Sequence, residues 1–441
     1  MRKIVLLVSL FAITANMMAA DHVMAATKHA PKQEVPATLN LSLQEAQDYA
    51  VAQNRSLKNA DLAVQKAYAT RWQTIASMLP SVDMSWAYQS MMGYKMNFGG
   101  MPIEMPDNGT LGITASVGIN GQAIVGALLN NTAIEMQKLN LEISEDNLRA
   151  SVKSSYASVL VLEDVVKLLD SSLKNIENLA AMTQRSVEVG AAEQTTADQI
   201  LVRVNTLKNN INANKRSTQL AINALKVLLN VPAETELTLT TQLSDMLSAE
   251  AIVALLGKDF VLENNLSYQT LAKNVELAKK NVHMAGWAYG PTVGVGYQYS
   301  KKDYFGGKAG FNMTPPNALS VQVSMPLWSS GKRAAGVVEK KIALEEARNT
   351  FEETADNLGI QNEQLRYNLQ NAYETYTNEQ ENMGVTQRVF DNTSLKFQQG
   401  VASNLDLVNA SNDLITAQST YVQAVLTLVN AEVELEKFLN L

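Results

Sequence analysis

Very little in this chain is equipped to make or break bonds. Its three histidines, His22, His29 and His283, are too scattered to hold a metal, and it has no cysteine, which excludes thiol catalysis and disulfides. No Gly-x-Ser-x-Gly elbow or paired-carboxylate arrangement stands out. The pair Gly294-x-Gly296 lies inside an alternating stretch, not at a strand-to-helix turn, so it does not read as a phosphate cradle. No catalytic residue, cofactor or metal is therefore expected, and the chain is not read as an enzyme. The chemistry that remains is that of surfaces. Aromatic residues collect at predicted strand ends (Trp86, Tyr88, Tyr297, Tyr299 and Trp328), and a lone carboxylate, Asp406, falls in the first turn of a predicted helix.

The aromatics belong to strict alternation. Val82, Met84, Trp86 and Tyr88 face away from Ser81, Asp83, Ser85 and Gln89, and Leu111 to Ile119 repeats the pattern after a Gly/Met/Pro-rich loop at 90–110. Period two predicts strands over 81–89 and 111–119, and again over 292–299 and 319–327. One face is apolar and the other small and polar. That is the pattern of a transmembrane β-barrel strand, with a half-buried soluble sheet as the alternative.

Between the strand pairs stand long helices. Residues 122–189 contain no proline and one glycine, predicting a helix about 100 Å long at 1.5 Å per residue. Residues 332–399 match it in length, with Gly336, Gly359 and Gly384 as points of bending. Return helices follow over 193–230 and 403–440. In the second, Leu407, Leu414, Tyr421, Leu428 and Leu435 recur every seven residues beside a row of alanines from Ala410 to Ala431. Such broad apolar flanks require a neighbour on each side. Subtracting 210 from each number lands on Ala197, Val204, Ile211, Thr218 and Leu225, and on Gly190 for Gly400, so the chain is read as an internal two-fold repeat.

The expected organisation is a signal peptide (1–25), a mobile leader (26–42), repeat 1 (43–253) and repeat 2 (254–441). Repeat 1 opens with a helix stopped by Pro80 and closes with a waist at 231–253; repeat 2 opens with a helix over 266–289. The apolar run near the N-terminus is too short to span a membrane, and the missing cysteine removes the residue that carries a lipid anchor. A balance of 36 basic to 43 acidic side chains argues against nucleic acid as a partner. Four strands cannot close on themselves, and an open edge cannot face lipid, so a membrane reading demands that several chains pool their strands. The rival is a non-conducting periplasmic scaffold or adaptor of helical hairpins, which has no need of alternating strands.

The duplicated strand pair, the long helix, the glycine turn and the Asp-Leu-Val return helix resemble the TolC family of outer-membrane efflux channels. Leu79-Pro80 before a strand and Met325 to Trp328 before the long helix are also similar to that family, over roughly residues 43–440. The resemblance implies an α+β membrane protein: a homotrimer with a 12-stranded transmembrane β-barrel, four strands per chain, continued by a periplasmic α-helical barrel. It implies an exit duct in the bacterial outer membrane, serving a tripartite efflux pump or a type I secretion system. The partners it implies are a periplasmic adaptor (membrane fusion) protein, an inner-membrane pump and outer-membrane lipid. Docking tips would be Val189, Gly190, Ala191 and Ala192, with Gln399, Gly400, Val401, Ala402 and Ser403. The family's aperture acids map to Asp406 and, as a departure, Asn409; Ala402 stands where the family has a basic residue. In the first copy Thr196 replaces the acid, with Asp198 two residues on. A ring of Asp406 carboxylates would favour cations.

Overall fold

The computed structural model describes residues 37–190, 192–305 and 315–441, so the expected signal peptide and most of the leader lie outside the described residues. In chain order the elements are β1 (Thr38–Leu41), α1 (Leu43–Gln53), α2 (Arg55–Ala76), β2 (Ser81–Gln89), β3 (Lys95–Phe98), β4 (Met101–Glu104) and β5 (Asn108–Asn120). Next come α3 (Gly121–Glu188), α4 (Gln194–Leu229), β6 (Glu236–Leu239), α5 (Leu243–Met246), α6 (Ala249–Leu256) and α7 (Leu266–Gly286). The last are β7 (Thr292–Tyr304), β8 (Asn317–Ser324), α8 (Lys332–Gln398) and α9 (Asn404–Leu439). The chain divides into two compact units. One comprises Leu62–Lys138 with Thr270–Glu352, the other the segment ending at Asp61 with Leu139–Gln269 and Glu353–Leu441.

The first unit holds a four-stranded antiparallel sheet in the order β2-β5-β7-β8. Directly opposed residues share a face, so the register sorts the side chains. Val82, Ala115, Tyr297 and Leu319 form one row, and Val117, Val295 and Val321 another, on the apolar face. Ser81, Ser116, Gly296 and Ser320 form a row on the other face, as do Gly118, Gly294 and Gln322. Gly121 opens α3 because nothing larger fits: a Cβ there would lie 2.1 Å from the Trp287 ring. Below the sheet, Glu276 of α7 accepts from Lys280 Nζ at 2.7 Å and from the buried Thr132 hydroxyl at 3.1 Å, and pairs with Lys273 at 3.2 Å.

The second unit is helical around a small waist. The waist contains strand β6, which pairs in parallel with β1. The mobile leader was expected to reach residue 42; instead Thr38–Leu41 is ordered by that pairing and by buried Tyr156, whose hydroxyl donates to Leu41 O at 2.9 Å and accepts from Thr241 N at 3.1 Å. Helix α9 feeds two apolar clusters: Val429 and Val433 pack with Val152, Tyr156 and Leu225, while Leu428 and Leu435 pack with Leu369 and Ile252. This is the neighbour on each side that its heptads demand. Lys153 of α3 lies between Glu432 and Glu436 of α9 at 2.8 and 2.7 Å.

Several expected boundaries move. The amphipathic run from Leu43 to Leu79 breaks at Asn54, whose Oδ1 caps α2 by accepting from Ser56 N and Leu57 N while its Nδ2 donates to Leu228 O at 2.9 Å. Asn265 does the same for α7, accepting from Ser267 N and donating to Phe438 O at 3.1 Å. One asparagine thus serves the orphan amides of one helix and an orphan carbonyl of another. Returning from the other side, Asn230 donates to Gln53 O at 3.2 Å and Asn440 to Asn264 O. The 254 boundary between repeats falls inside α6. The loop at 90–110 contains a hairpin, β3–β4, turned by Gly99 and Gly100, both at positive φ. Strand β7 runs on to Tyr304, and β8 stops at Ser324, two residues before Pro326, which has no N–H for the ladder.

Two predictions follow from these contacts. Asn265→Ala, which removes both a cap and a carbonyl partner, should cost about 1–2 kcal/mol and lower the Tm in detergent; Asn265→Asp should recover the cap part of that loss. The Lys280 ammonium, with Lys273 and Thr132, holds the Glu276 carboxyl down at about 2 against an ordinary 4.5. A depressed folded-state value adds stability above the ordinary carboxylate range that is lost as pH falls towards 2. Glu276→Gln should therefore lower the Tm at pH 7, with the gap to the parent shrinking when both are melted at pH 3.

Candidate functional site

The residues singled out for function lie in two places, the sheet of the first unit and the two helical turns of the second. At the first turn Gly190 adopts φ +77°, its N–H donating to Val187 O at 2.9 Å, while Ala192 N closes back on Ser186 O at 3.2 Å. At the second, Gly400 adopts φ +73°, and Val401 N reaches Lys396 O at 2.9 Å. Both are left-handed helix terminations, where glycine avoids the Cβ clash. No atom lies within 4 Å of a Cβ built at either, so the requirement is conformational, not one of space. Each long helix ends one residue earlier than the sequence pattern suggests, at Glu188 and Gln398, because the turn claims Val189 and Gln399. Val189 and Val401 project outward, 79% and 74% exposed, Gln399 is exposed, and Ala192 and Ala402 are half-buried. Ala191 lies outside the described residues.

The two turns differ in how their return helices start. Ser403 caps α9 in a reciprocal box with Asp406: the Ser403 hydroxyl accepts from Asp406 N, and the Asp406 carboxylate accepts from Ser403 N at 3.0 Å and from its hydroxyl at 2.7 Å. Those two bonds hold the Asp406 carboxyl below its ordinary value, hydroxyl first and amide second. Asp406 is exposed, so the carboxylate both ends a helix and presents charge to water. Glu193 precedes α4 without a side-chain cap; Thr196 is half-buried, and exposed Asp198 accepts from Gln194 Nε2 at 2.9 Å. Asn409 is exposed one turn beyond Asp406. Beneath the turns, Ile200, Val204 and Leu207 of α4 pack with Leu407, Ala410 and Leu414 of α9, together with Leu169, Ile176 and Phe390.

On the sheet, Trp86 and Tyr88 stand at the loop end of β2, opposite Leu111 and Gly109. Tyr88 is tied down by Asp107, which accepts its hydroxyl at 3.0 Å, and packs near Phe305. Tyr297 and Tyr299, expected at a strand end, lie mid-strand instead. They face Ala115 and Ile113, and β7 continues five residues past Tyr299 because its pairing with β5 extends to Asn108↔Tyr304. Trp328 follows β8 and is 85% exposed. Aromatics that the sequence pattern passed over, Trp287 and Tyr289, occupy a short 3-10 turn just before β7. Their signal was the glycines Gly121 and Gly290, both pressed against the Trp287 ring.

Edges complete the picture. Strands β2 and β8 each pair on one side only among the described residues, so each leaves one row of backbone amides and carbonyls without a strand beside it. Every residue of both strands is exposed on both faces, including Met84, Trp86, Leu319, Val321 and Val323. Among the described residues the sheet is thus exposed on its apolar face, small and polar on the other, and unpaired at both edges. The family model for outer membrane efflux protein matches residues 47–231 and 259–441. The chain belongs to that family.

Relatives of this outer membrane efflux protein are distant. It is 23% identical over 427 residues to the probable efflux pump outer membrane protein TtgC of Pseudomonas putida, covering 90% of this chain and 83% of that one. It is also 23% identical over 301 residues to the outer membrane efflux protein BepC of Brucella suis, covering 66% of this chain and 63% of the relative. Its fold is similar to that of CusC, whose structures concern folding and transmembrane channel formation, with a TM-score of 0.75 at 16% identity over 94% of this chain and 95% of that one. The efflux protein's second turn gives a direct prediction. Gly400→Ala places a Cβ in the left-handed region at a cost of about 1–2 kcal/mol, and should speed hydrogen exchange across 396–407 while leaving the β1–β6 waist unchanged.

Proposed function

We propose that three copies of this chain pool their sheets into a closed 12-stranded barrel in the outer membrane. The helices, by the internal two-fold repeat, continue that barrel into the periplasm. The assembly is a passive exit duct: it conducts small molecules or polypeptides delivered by a periplasmic adaptor and an inner-membrane pump, either an efflux pump or a type I secretion system. The observation that carries this is the sheet of four strands with two bare edges and an exposed apolar face. In hydrocarbon those edge amides would each cost several kcal/mol unpaired, and joining β2 of one copy to β8 of the next satisfies them. The apolar rows then meet lipid, and the rows of Ser, Gly, Thr and Gln face the lumen.

Conduction in this reading needs no chemistry, only a wet path and a selective constriction. The turns at Gly190 and Gly400 dock the adaptor. Asp406, with Asn409 three residues on and with Thr196 and Asp198 at the start of the first return helix, lines the periplasmic aperture. Its carboxylate, kept ionised by the capping bonds, supplies a fixed negative ring where the duct narrows. With Asn409 and Ala402 in place of charged residues, the second turn contributes one acidic ring, that of Asp406, and no basic latch. Outer-membrane lipid, and not a covalent anchor, holds the barrel in place.

Single-channel recording in planar bilayers tests the duct and its mouth together. The trimer should conduct and prefer cations, and should run as a heat-labile oligomer. Asp406→Ala removes both the charge and the cap, and Asp406→Asn keeps an acceptor for Ser403 while removing the charge. Both should lower cation preference, the alanine variant alone also lowering the Tm. Unchanged selectivity in both removes Asp406 from the aperture. A protein that stays soluble without detergent and shows no conductance would instead be a scaffold.

A further inference from the structure

The helix end of the β2-β5-β7-β8 sheet carries a charge imbalance that conduction does not use. Because neighbouring strands run antiparallel, the start of β2, the end of β5, the start of β7 and the end of β8 lie together, with Asn120 opposite Thr292 and Thr292 opposite Ser324. The segments that lead from these strand ends into α2, α3, α7 and α8 are residues 70–80, 121–134, 279–291 and 325–338, and none holds an Asp or Glu. They hold Arg71, Lys279, Lys280, Lys332 and Arg333, in a chain where acids outnumber bases 43 to 36. The other end of the sheet is balanced: residues 89–107 and 300–305 carry Lys95, Lys301 and Lys302 against Glu104, Asp107 and Asp303. Three of the chain's four tryptophans also fall in the basic segments, Trp72, Trp287 and Trp328, at 45%, 49% and 85% exposure.

Internal pairing leaves most of this charge available. Among the described residues only Lys280 of the five meets a carboxylate, that of Glu276 at 2.7 Å. Lys279 and Lys332 are exposed. Arg333 is held without being neutralised: its Nη1 donates to Pro326 O at 3.1 Å, and its guanidinium carbon lies 5.8 Å from the centroid of the Tyr289 ring. Those contacts fix the fork and leave its other N–H donors for the oxygens of a phosphate. Cations beside exposed tryptophans and exposed Leu79 and Leu327 are the pattern of a membrane–water boundary. A headgroup ammonium would find no carboxylate in these segments, so headgroups with net negative charge are favoured over zwitterionic ones. We propose that this end of the sheet binds anionic glycerophospholipid, with Arg71, Lys279, Lys332 and Arg333 holding the headgroup phosphates of the leaflet that faces the helices. The inference rests on the reading that places the sheet in lipid.

Phosphatidylglycerol and phosphatidylcholine are the probes, each added to the full chain purified in a nonionic detergent, with bound lipid counted by native mass spectrometry. Phosphatidylglycerol should be retained and phosphatidylcholine lost. Lys332→Gln combined with Arg333→Gln should weaken phosphatidylglycerol binding about 25-fold, at about fivefold per charge. Lys301→Gln combined with Lys302→Gln removes the same charge from the other end of the sheet and should leave that binding unchanged. Lys279→Gln lies on a helix away from the Pro326 contact, and should show the loss expected for one charge even where the double variant fails to fold. Equal retention of the two lipids, equal losses in the two double variants, or displacement of the lipid by inorganic phosphate alone, the sign of a free-anion site, would overturn the proposal. Conductance of the parent in pure phosphatidylcholine bilayers tests the duct without anionic lipid. A channel that conducts there yet retains no phosphatidylglycerol fails at this site alone, and one that retains the lipid without conducting fails as a duct alone.

Discussion

A β-strand at the rim of a sheet exposes a row of amides and carbonyls that something must satisfy. In water the solvent does so at little cost, but in hydrocarbon nothing does. Among the described residues the sheet β2-β5-β7-β8 ends at such a rim on both sides, and its apolar face is exposed. Much of the functional reading follows from that constraint. The unpaired rims call for further copies, the bare apolar rows call for lipid, and the small polar rows opposite them leave room for a wet lumen. A half-buried soluble sheet would show the same alternation, but it would place a helix or a second sheet against Val82, Met84 and Leu319.

The helices answer a different constraint. A helix of 68 residues has far more apolar flank than one neighbour can cover. Helix α9 shows the solution, dividing its buried residues between a cluster with α3 and α1 and another with α8 and α6. Where a return helix ends and a shorter one begins, four orphan groups on each side need partners. Asn54 and Asn265 each supply an acceptor to one helix and a donor to the other, and Asn230 and Asn440, both in the left-handed conformation, donate back. Such shared capping allows two short helices to follow one another where a continuous helix would otherwise be needed.

The turns show how one residue can serve structure and charge together. Asp406 accepts two hydrogen bonds from Ser403 and stays exposed. The capping bonds favour the ionised form, so the structural role supports the electrostatic one. The first turn lacks this device: Glu193 does not cap with its side chain, and Thr196 stands where an acid would.

Periodicity by itself determined the four strands of the main sheet, the long helices and their return helices, where the glycine turns fall, and that four strands per chain leave edges open. These are local properties, set by the spacing of apolar residues and by the φ that only glycine adopts freely. It did not determine where pairing ends. Strand β7 runs on to Tyr304 because β5 is there to receive it, which moves Tyr297 and Tyr299 from a strand end to its middle. The ordering of Thr38–Leu41 rests on Tyr156, more than a hundred residues away, and the break at Asn54 on a carbonyl at Leu228. The pairing of Lys95–Phe98 with Met101–Glu104 makes a hairpin of a stretch that reads in sequence as a loop rich in glycine and methionine. In each case the deciding partner is distant along the chain or across a strand, and only the folded register brings it near.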